Sequence, residues 1–216
     1  MNPINSMKNQ STATTHDNTH GARYQLAKII RIVTIPPVMV GSVLLLLTLY
    51  RPDVISHLSQ CLMAMLCLAV IPVLAYPLSY ILPTLKAKGR EGQRNLAFVL
   101  SALGYTGGVV YAQMAGVSNS LKVIFWTYFL SIILLSILNR WVKVRASGHA
   151  CSIAGPIGLV CYFLPPVWIV VSLLMYVAIF WASVHMGRHT VKEFILGSIT
   201  SPLALLVMAI CSAVFW

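Results

Sequence analysis

Acidic residues are scarce in this 216-residue sequence, whose only four are Asp17, Asp53, Glu91 and Glu193. So small a number excludes sites that need several carboxylates, such as the paired aspartate motifs of prenyl transferases or an all-oxygen magnesium cage. Charged residues of both signs make up only 9% of the chain, whereas a soluble domain has about 25%. Because 58% of the residues are hydrophobic and the mean hydropathy is +0.83, a soluble globular protein is excluded as well.

Paired cysteines and a signal peptide are also lacking. The five cysteines lie in apolar stretches without a C-x-x-C motif, and we interpret them as small core residues. The N-terminal residues are rich in Asn, Thr, Ser and His, with no apolar segment of the kind found in a secretory signal. This composition predicts a polar, disordered tail over residues 1–27 and a single transmembrane helical domain over residues 28–216.

Long apolar runs are abundant. A helix needs about 17 to 25 apolar residues to cross the hydrocarbon core of a bilayer, and the candidate runs are 29–49, 58–82, 96–115, 121–138, 151–164, 167–184 and 194–216. The fifth run is short, and Pro36 and Pro37 either kink or end a helix in the first. Gly104 and Gly108, four residues apart, predict close helix packing. The sequence therefore predicts an all-α integral membrane protein, a bundle of six to seven transmembrane helices.

Basic residues are distributed unevenly between the predicted loops. The chain has 15 of them and a net charge of +11. If the runs cross the membrane in alternation, all but Arg51 and Lys122 fall on the side of the N-terminal tail, which is therefore predicted to be cytoplasmic in the cell membrane. In a membrane protein such an excess favours anionic head groups or phosphates as partners rather than nucleic acid. His149, His185 and His189 fall on the same side, as expected of a site built from several loops.

A serine–glycine pair, Ser147-Gly148, directly precedes the fifth apolar run and is flanked by Arg145 and His149. At the start of a helix, free backbone N–H groups, a hydroxyl and the positive end of the helix dipole together bind anions. The same spacing also suits Ser147 as a plain N-cap with no ligand. Both interpretations stay open on the sequence alone.

A second polar motif contains His185, His189 and Glu193 at intervals of four residues. On one continuous helix they would share a face, and Glu193 would accept a hydrogen bond from the His189 ring, fixing its tautomer and raising its basicity. A histidine oriented in this way is a nucleophile toward phosphorus or a general base. Gly187 argues against a continuous helix, and the alternative is an interfacial histidine beside a surface glutamate.

Together the two motifs resemble those of the type 2 phosphatidic acid phosphatase superfamily of membrane lipid phosphatases. The string R-A-S-G-H at 145–149 resembles its P-S-G-H motif. The string G-R-H-T-V-K-E at 187–193, followed by I-L-G at 195–197, resembles its S-R-x5-H-x3-D motif and the trailing glycine. The family's first motif, K-x6-R-P, would fall in the loop between Lys86 and Arg94. Order, spacing and side of the membrane agree for all three polar loops, the second, fourth and sixth.

The resemblance implies roles for individual residues. His189 would be the nucleophile that forms a phosphohistidine, Glu193 its orienting carboxylate in place of aspartate, and His149 the general acid that protonates the leaving alkoxide. The resemblance further implies phosphate binding by Ser147, Gly148, Arg145, Arg188, Arg94 and Lys86. It implies no metal and no other cofactor.

The sequence also departs from the family pattern. Ser183 stands where the motif has an arginine, six residues before the nucleophile, so one bidentate phosphate ligand is missing. Ala146 and Asn95 replace the two motif prolines, and Ala87 stands where the first motif has its lysine. Arg188 or Arg145 would have to substitute for the missing arginine.

These observations predict an integral-membrane, metal-independent phosphatase that acts on a lipid phosphate or a prenyl (di)phosphate reaching it from the bilayer. One alternative is a non-catalytic membrane protein of the same fold that binds an anionic lipid or transports an anion, which the loss of arginine at Ser183 favours. Another is a metal site formed by His149, His185, His189 and Glu193, because a His-x3-His pair on a helix can bind zinc.

Overall fold

A computed structural model of the protein describes residues 21–216, so residues 1–20 of the predicted tail lie outside the described residues. Within that range the chain is helical and contains no strand. The helices are α1 (Ala22–Val33), α2 (Pro36–Tyr50), α3 (Leu58–Ile81), α4 (Pro83–Ala87), α5 (Gly89–Met114), α6 (Asn119–Trp141), α7 (Gly148–Phe163), α8 (Val167–His185) and α9 (Val191–Phe215). The predicted all-α class is confirmed for this part of the chain.

Five of these helices, α3, α5, α6, α8 and α9, are long and apolar enough to cross a membrane. The pair formed by α1 and α2 makes a sixth candidate if the two helices, bent by 54°, act as one span. The fifth apolar run of the sequence forms α7, which has only 16 residues and is shorter than a bilayer crossing requires. Length and composition therefore support a multi-pass helical membrane protein with five or six spans.

The proline pair separates α1 from α2 instead of kinking one helix. Ile35, the residue before the prolines, has an extended backbone with ψ 147°, because the α conformation is disfavoured before proline. Upstream, α1 begins at Ala22, so the predicted boundary of the tail at residue 27 is wrong and residues 22–27 are helical. The three basic residues of α1 interrupt its apolar pattern, which is why a search for apolar runs begins only at residue 29.

α7 lies at the centre of the fold, where it packs against α9, α2 and α8. Ten of its 16 residues are buried. The adjoining helices also approach closely, as the glycine spacing predicts: a Cβ at Gly104 of α5 would overlap the carbonyl oxygen of Cys67 in α3, and one at Gly108 would overlap the ring of Phe125 in α6. Such packing holds α3, α5 and α6 together.

Candidate functional site

The backbone of the loop that precedes α7 is joined to the first turn of α9. The Ser147 N–H donates a hydrogen bond to the Glu193 carbonyl oxygen at 2.9 Å. The Asn139 side chain holds the same loop from α6, because its Oδ1 accepts from the Ala146 N–H at 3.1 Å and its Nδ2 donates to the Ala146 carbonyl at 3.2 Å. Proline at position 146 would lack this N–H, so the hydrogen bond to Asn139 explains why this chain has alanine there.

Gly197 permits the close approach of α9 to the start of α7. A Cβ at this position would overlap the Ser147 carbonyl oxygen and lie 2.9 Å from the Ser147 carbonyl carbon and amide nitrogen. Only a residue without a side chain leaves room for that backbone. The contact brings the two motifs of the sequence together.

Ser147 has both of the roles that its spacing left open. It is the N-cap of α7, because its Oγ accepts a hydrogen bond from the Ala150 N–H at 3.2 Å. The same Oγ lies 3.2 Å from Nε2 of His189. The helix N-terminus and the histidine therefore face one another across the serine hydroxyl.

The second motif is not a continuous helix. α8 ends at His185, a turn follows in which Gly187 has φ +61°, and α9 begins at Val191. The expected common face of His185, His189 and Glu193 is therefore wrong: the His185 ring stacks on Trp181 of its own helix, with 5.2 Å between ring centroids. Thr190 and Glu193 form a reciprocal capping box at the start of α9.

Glu193 lies beside His189 but is not hydrogen-bonded to it. The distance from Nδ1 of His189 to Oε2 of Glu193 is 3.9 Å, which exceeds a hydrogen bond and becomes an ion pair only when the ring is protonated. Oε2 accepts instead from the Thr190 N–H at 3.1 Å, and Oε1 pairs with Nε of Arg145 at 3.2 Å. The expected hydrogen bond is thus replaced by an electrostatic contact, in which the helix cap fixes the carboxylate.

His149 lies against the His189 ring. The two ring planes are nearly parallel, at 18°, with centroids 6.3 Å apart. Nε2 of His149 is buried and has no hydrogen-bond partner among the described residues. A buried polar nitrogen without a partner is costly, so this atom is available to a ligand that enters the site.

Both imidazoles favour the neutral form. Burial, with the Arg31 charge and His189 as smaller contributions, lowers the pKa of His149 to about 4. Burial also lowers the pKa of His189 below its usual 6.5; the charges of Arg31 and Arg145 act in the same direction, and Glu193 opposes them. At pH 7 His189 therefore has a lone pair for attack on an electrophile.

The basic residues predicted to bind phosphate differ in their positions. Arg145 is paired with Glu193 beside the histidines, and its side chain is 75% exposed. Arg188 is exposed in the turn before His189. Lys86 and Arg94 are also exposed, and among residues 21–216 they form no hydrogen bond or ion pair with the histidines. The loop between Lys86 and Arg94, which resembles the family's first motif, thus makes no such contact with the histidines.

The metal-site alternative finds no geometric support in the described part of the chain, where no group of three or more His, Cys, Asp or Glu residues is arranged to hold a metal ion. His185, the residue this alternative needed beyond the paired loops, stacks on Trp181 instead.

Sequence reasoning missed Arg31, which lies within the first apolar run. It lies in the last turn of α1, and its charge acts on both imidazoles. By helical spacing, Ala27, Arg31 and Thr34 fall on one face of α1. Both Ala27 and Thr34 are buried, so this face points into the protein.

The resulting site combines a neutral histidine, a helix N-terminus, a second histidine with an unpaired nitrogen, and guanidinium groups. These groups suit the binding of an anion and nucleophilic attack on it. Comparisons of the chain with protein-family models, with curated proteins and with solved structures find no match.

Proposed function

We propose that the protein is an integral-membrane phosphatase that hydrolyses a lipid phosphate or a prenyl (di)phosphate through a phosphohistidine intermediate. The observation that carries this proposal is the 3.2 Å distance between Nε2 of His189 and the Ser147 hydroxyl at the N-terminus of α7. A phosphoryl group bound by that N-terminus would lie next to the histidine lone pair, as in-line phosphoryl transfer requires.

The reaction has two steps. In the first, Nε2 of His189 forms a bond to phosphorus while the bond from phosphorus to the lipid oxygen breaks, and His149 gives a proton to the departing alkoxide. In the second, a water molecule gives a proton to His149 and attacks phosphorus, the P–N bond breaks, and phosphate leaves. Glu193 faces Nδ1 of His189 and stabilises the positive charge that the ring acquires in between.

The substrate supplies the proton that His149 needs. The pKa of His149 is about 4, so the ring is neutral at pH 7. A bound phosphate adds negative charge next to the ring and raises this pKa, and a phosphate monoanion brings the proton with it. Binding and protonation of His149 are thereby coupled.

A cavity beside α7 favours an apolar substrate. It has a volume of about 190 Å³ and is lined largely by apolar side chains from the bend between α1 and α2, from α7 and from α8, among them Met39, Ile157 and Met175. Pro156, which also lines it, follows His149 by seven residues, or roughly 10 Å along a helix. An acyl or prenyl chain attached to a phosphate at His149 would reach this depth.

The proposal includes the position of the site in the cell membrane. The basic residues near the histidines would hold the phosphate head group, and their abundance favours the cytoplasmic face. With α1 and α2 taken as one span, the second, fourth and sixth polar loops would share one face if α7, packed among the longer helices, carries the chain to the other face before α8 begins. The apolar chain would then enter sideways from the bilayer.

The experiment that tests the proposal is phosphate release by detergent-purified protein in EDTA. The substrates are phosphatidate, phosphatidylglycerol phosphate and prenyl diphosphates, and vanadate is the inhibitor. We expect metal-independent release that His189→Ala lowers by on the order of 10⁴-fold or more. His185→Ala is the matched control, because this ring stacks on Trp181 outside the site, and it should leave the rate unchanged.

Two outcomes would refute the phosphatase. One is no release from any substrate by the wild-type protein, and the other is complete loss of release in EDTA. Equal effects of the two histidine substitutions would refute His189 as the nucleophile. The panel of wild-type rates would also identify the preferred lipid.

A second candidate function is a non-catalytic protein that binds an anionic lipid or transports an anion. It is favoured by Ser183, which is fully buried in α8 where the resembled motif has a phosphate-binding arginine. Stoichiometric binding of a lipid phosphate without turnover would support this candidate.

A further inference from the structure

Position 183 has no room for an additional cation. Ser183 has no exposed surface, and its hydroxyl has no hydrogen-bond partner among residues 21–216. The Ser183 carbonyl accepts a hydrogen bond from the Arg188 N–H at 3.1 Å, which closes the turn that leads to His189. A guanidinium that binds the substrate must therefore come from another element.

α1 packs against α8, the helix that contains Ser183. Its Ile30 packs against the apolar cluster that includes Ala150 and Phe194. These two residues directly follow His149 and Glu193 in sequence. The C-terminal end of α1 thus lies next to the start of both α7 and α9.

The face of α1 that carries Arg31 points toward the protein. Ala27 and Thr34, which share this face by helical spacing, have 0% and 8% of their surface exposed. Arg31 itself is half-buried. The opposite face carries Leu26, Ile29 and Val33, all more than half exposed. Such a helix presents its apolar side to lipid and its arginine to the histidine pair.

The charge of Arg31 acts on both imidazoles. After burial it is the largest influence that lowers the pKa of His149 and that of His189, and for His189 it precedes the influence of Arg145. The other charged or titratable groups that act on these rings are Glu193 and Arg145 for His189, and His189 for His149. Arg31 is thus close to the place where the phosphoryl group would be attacked.

We infer that Arg31 is the guanidinium that binds the phosphoryl oxygens, in place of the arginine that the resembled motif has at position 183. This inference rests on the proposed function. A planar guanidinium donates two parallel hydrogen bonds to phosphate oxygens and stabilises the charge that develops on them. Arg31 makes and breaks no covalent bond; it binds the group that His189 attacks. α1 is therefore part of the site.

The test compares Arg31→Gln and Arg31→Lys with Lys28→Gln, an exposed lysine on the same helix. We expect Arg31→Gln to lower kcat/KM by roughly 10²- to 10³-fold, whereas Lys28→Gln leaves it within about twofold. In the pH profile of kcat/KM, the rising limb reports the deprotonation of His189 in the free protein. Loss of the Arg31 charge raises the pKa of His189, so this limb should move to higher pH in Arg31→Gln. In Arg31→Lys the limb should stay in place while kcat is lowered.

Rescue distinguishes a role in the site from a role in folding. Arg31→Ala should recover part of its activity when guanidinium chloride is added at millimolar concentration, which a misfolded protein would not do. Unchanged kcat/KM and an unmoved limb in Arg31→Gln, or a loss of activity without rescue and without a shift, would overturn the inference.

Binding of inorganic phosphate separates this inference from the phosphatase itself. A wild-type protein that hydrolyses lipid phosphates while Arg31→Gln stays fully active would refute the role of Arg31 alone. A wild-type protein that does not hydrolyse them, yet binds phosphate more tightly than Arg31→Gln does, would refute the phosphatase and support Arg31 as the anion ligand. Absence of both hydrolysis and phosphate binding would overturn both proposals.

Discussion

His149 and His189 have parallel rings in one small site, yet their surroundings differ. Nε2 of His189 lies against a hydroxyl, and its other nitrogen faces a carboxylate. Nε2 of His149 is buried and has no partner among the described residues. The first arrangement suits a nucleophile that acquires positive charge beside a carboxylate, and the second suits a group that exchanges a proton with a bound ligand.

The leaving group tests this difference. His149→Ala should lower kcat/KM for phosphatidate by about 10²- to 10⁴-fold, because an alkoxide needs a proton as it departs. Para-nitrophenyl phosphate releases a stable phenolate, so the same variant should lose less than about tenfold with it. The measurement is the ratio of the two kcat/KM values in variant and wild type. An equal loss with both substrates would show that His149 binds or supports the site and does not act as an acid.

Sequence alone identified the residue types of the site better than their contacts. Ser147, His149, His189 and Glu193 were all selected from motif spacing, and the structure brings them together. The pairing of Glu193 with Arg145 was not predictable from spacing, because it depends on how two loops 48 residues apart meet. Arg31 was missed for the same reason: its position near the site depends on the packing of α1 against α8.

At the scale of helices, the site depends on the contact between the start of α7 and the first turns of α9. The Ser147 N–H binds the Glu193 carbonyl, and Gly197 lies one turn further along α9 against the same backbone. Both contacts are made by residues of α9, so the position of Ser147 relative to the start of that helix is set by helix packing rather than by the loops alone.

Gly197→Ala should separate the two halves of the site. The new Cβ would overlap the Ser147 backbone, so α7 or α9 must shift, and a misplacement of about 1 Å costs roughly 10²-fold in rate. Gly107→Ala is the matched control, since a Cβ there meets nothing within 4 Å. kcat/KM and thermal unfolding in detergent are measured for both. A fully active Gly197→Ala protein would contradict this account of how the loops are joined.

Helix boundaries were predictable where apolar runs were uninterrupted, as in α6 and α8. The predicted boundaries were wrong where charged residues or prolines interrupted the apolar pattern. α1 begins within the predicted tail, and the proline pair divides the first run in two. α7 is short and packs among longer helices. Its run of apolar residues resembles a span in sequence, although its length does not suffice for one.

At the scale of the whole molecule, charge is distributed between the two ends of the helices. Arg51 pairs with Asp53 and donates to the Phe163 carbonyl at the C-terminus of α7, at the opposite end of this helix from His149. Lys122 lies over the ring of Trp216. The remaining basic residues of the predicted loops fall at the ends that carry His149, His185 and His189, which is the pattern that predicts a cytoplasmic site.

Cysteine labelling tests this orientation independently of any activity. Lys88, between α4 and α5, and His57, before α3, are both exposed and lie at opposite ends of the membrane-spanning helix α3. In sealed right-side-out vesicles we expect a membrane-impermeant maleimide to label His57→Cys and to leave Lys88→Cys unlabelled until the vesicles are opened. The wild-type protein, whose five cysteines are buried or partly buried, gives the background. The reverse labelling pattern would place the site on the outer face of the membrane. The basic loops would then oppose the positive-inside rule, and phosphate binding would be the reason for their charge.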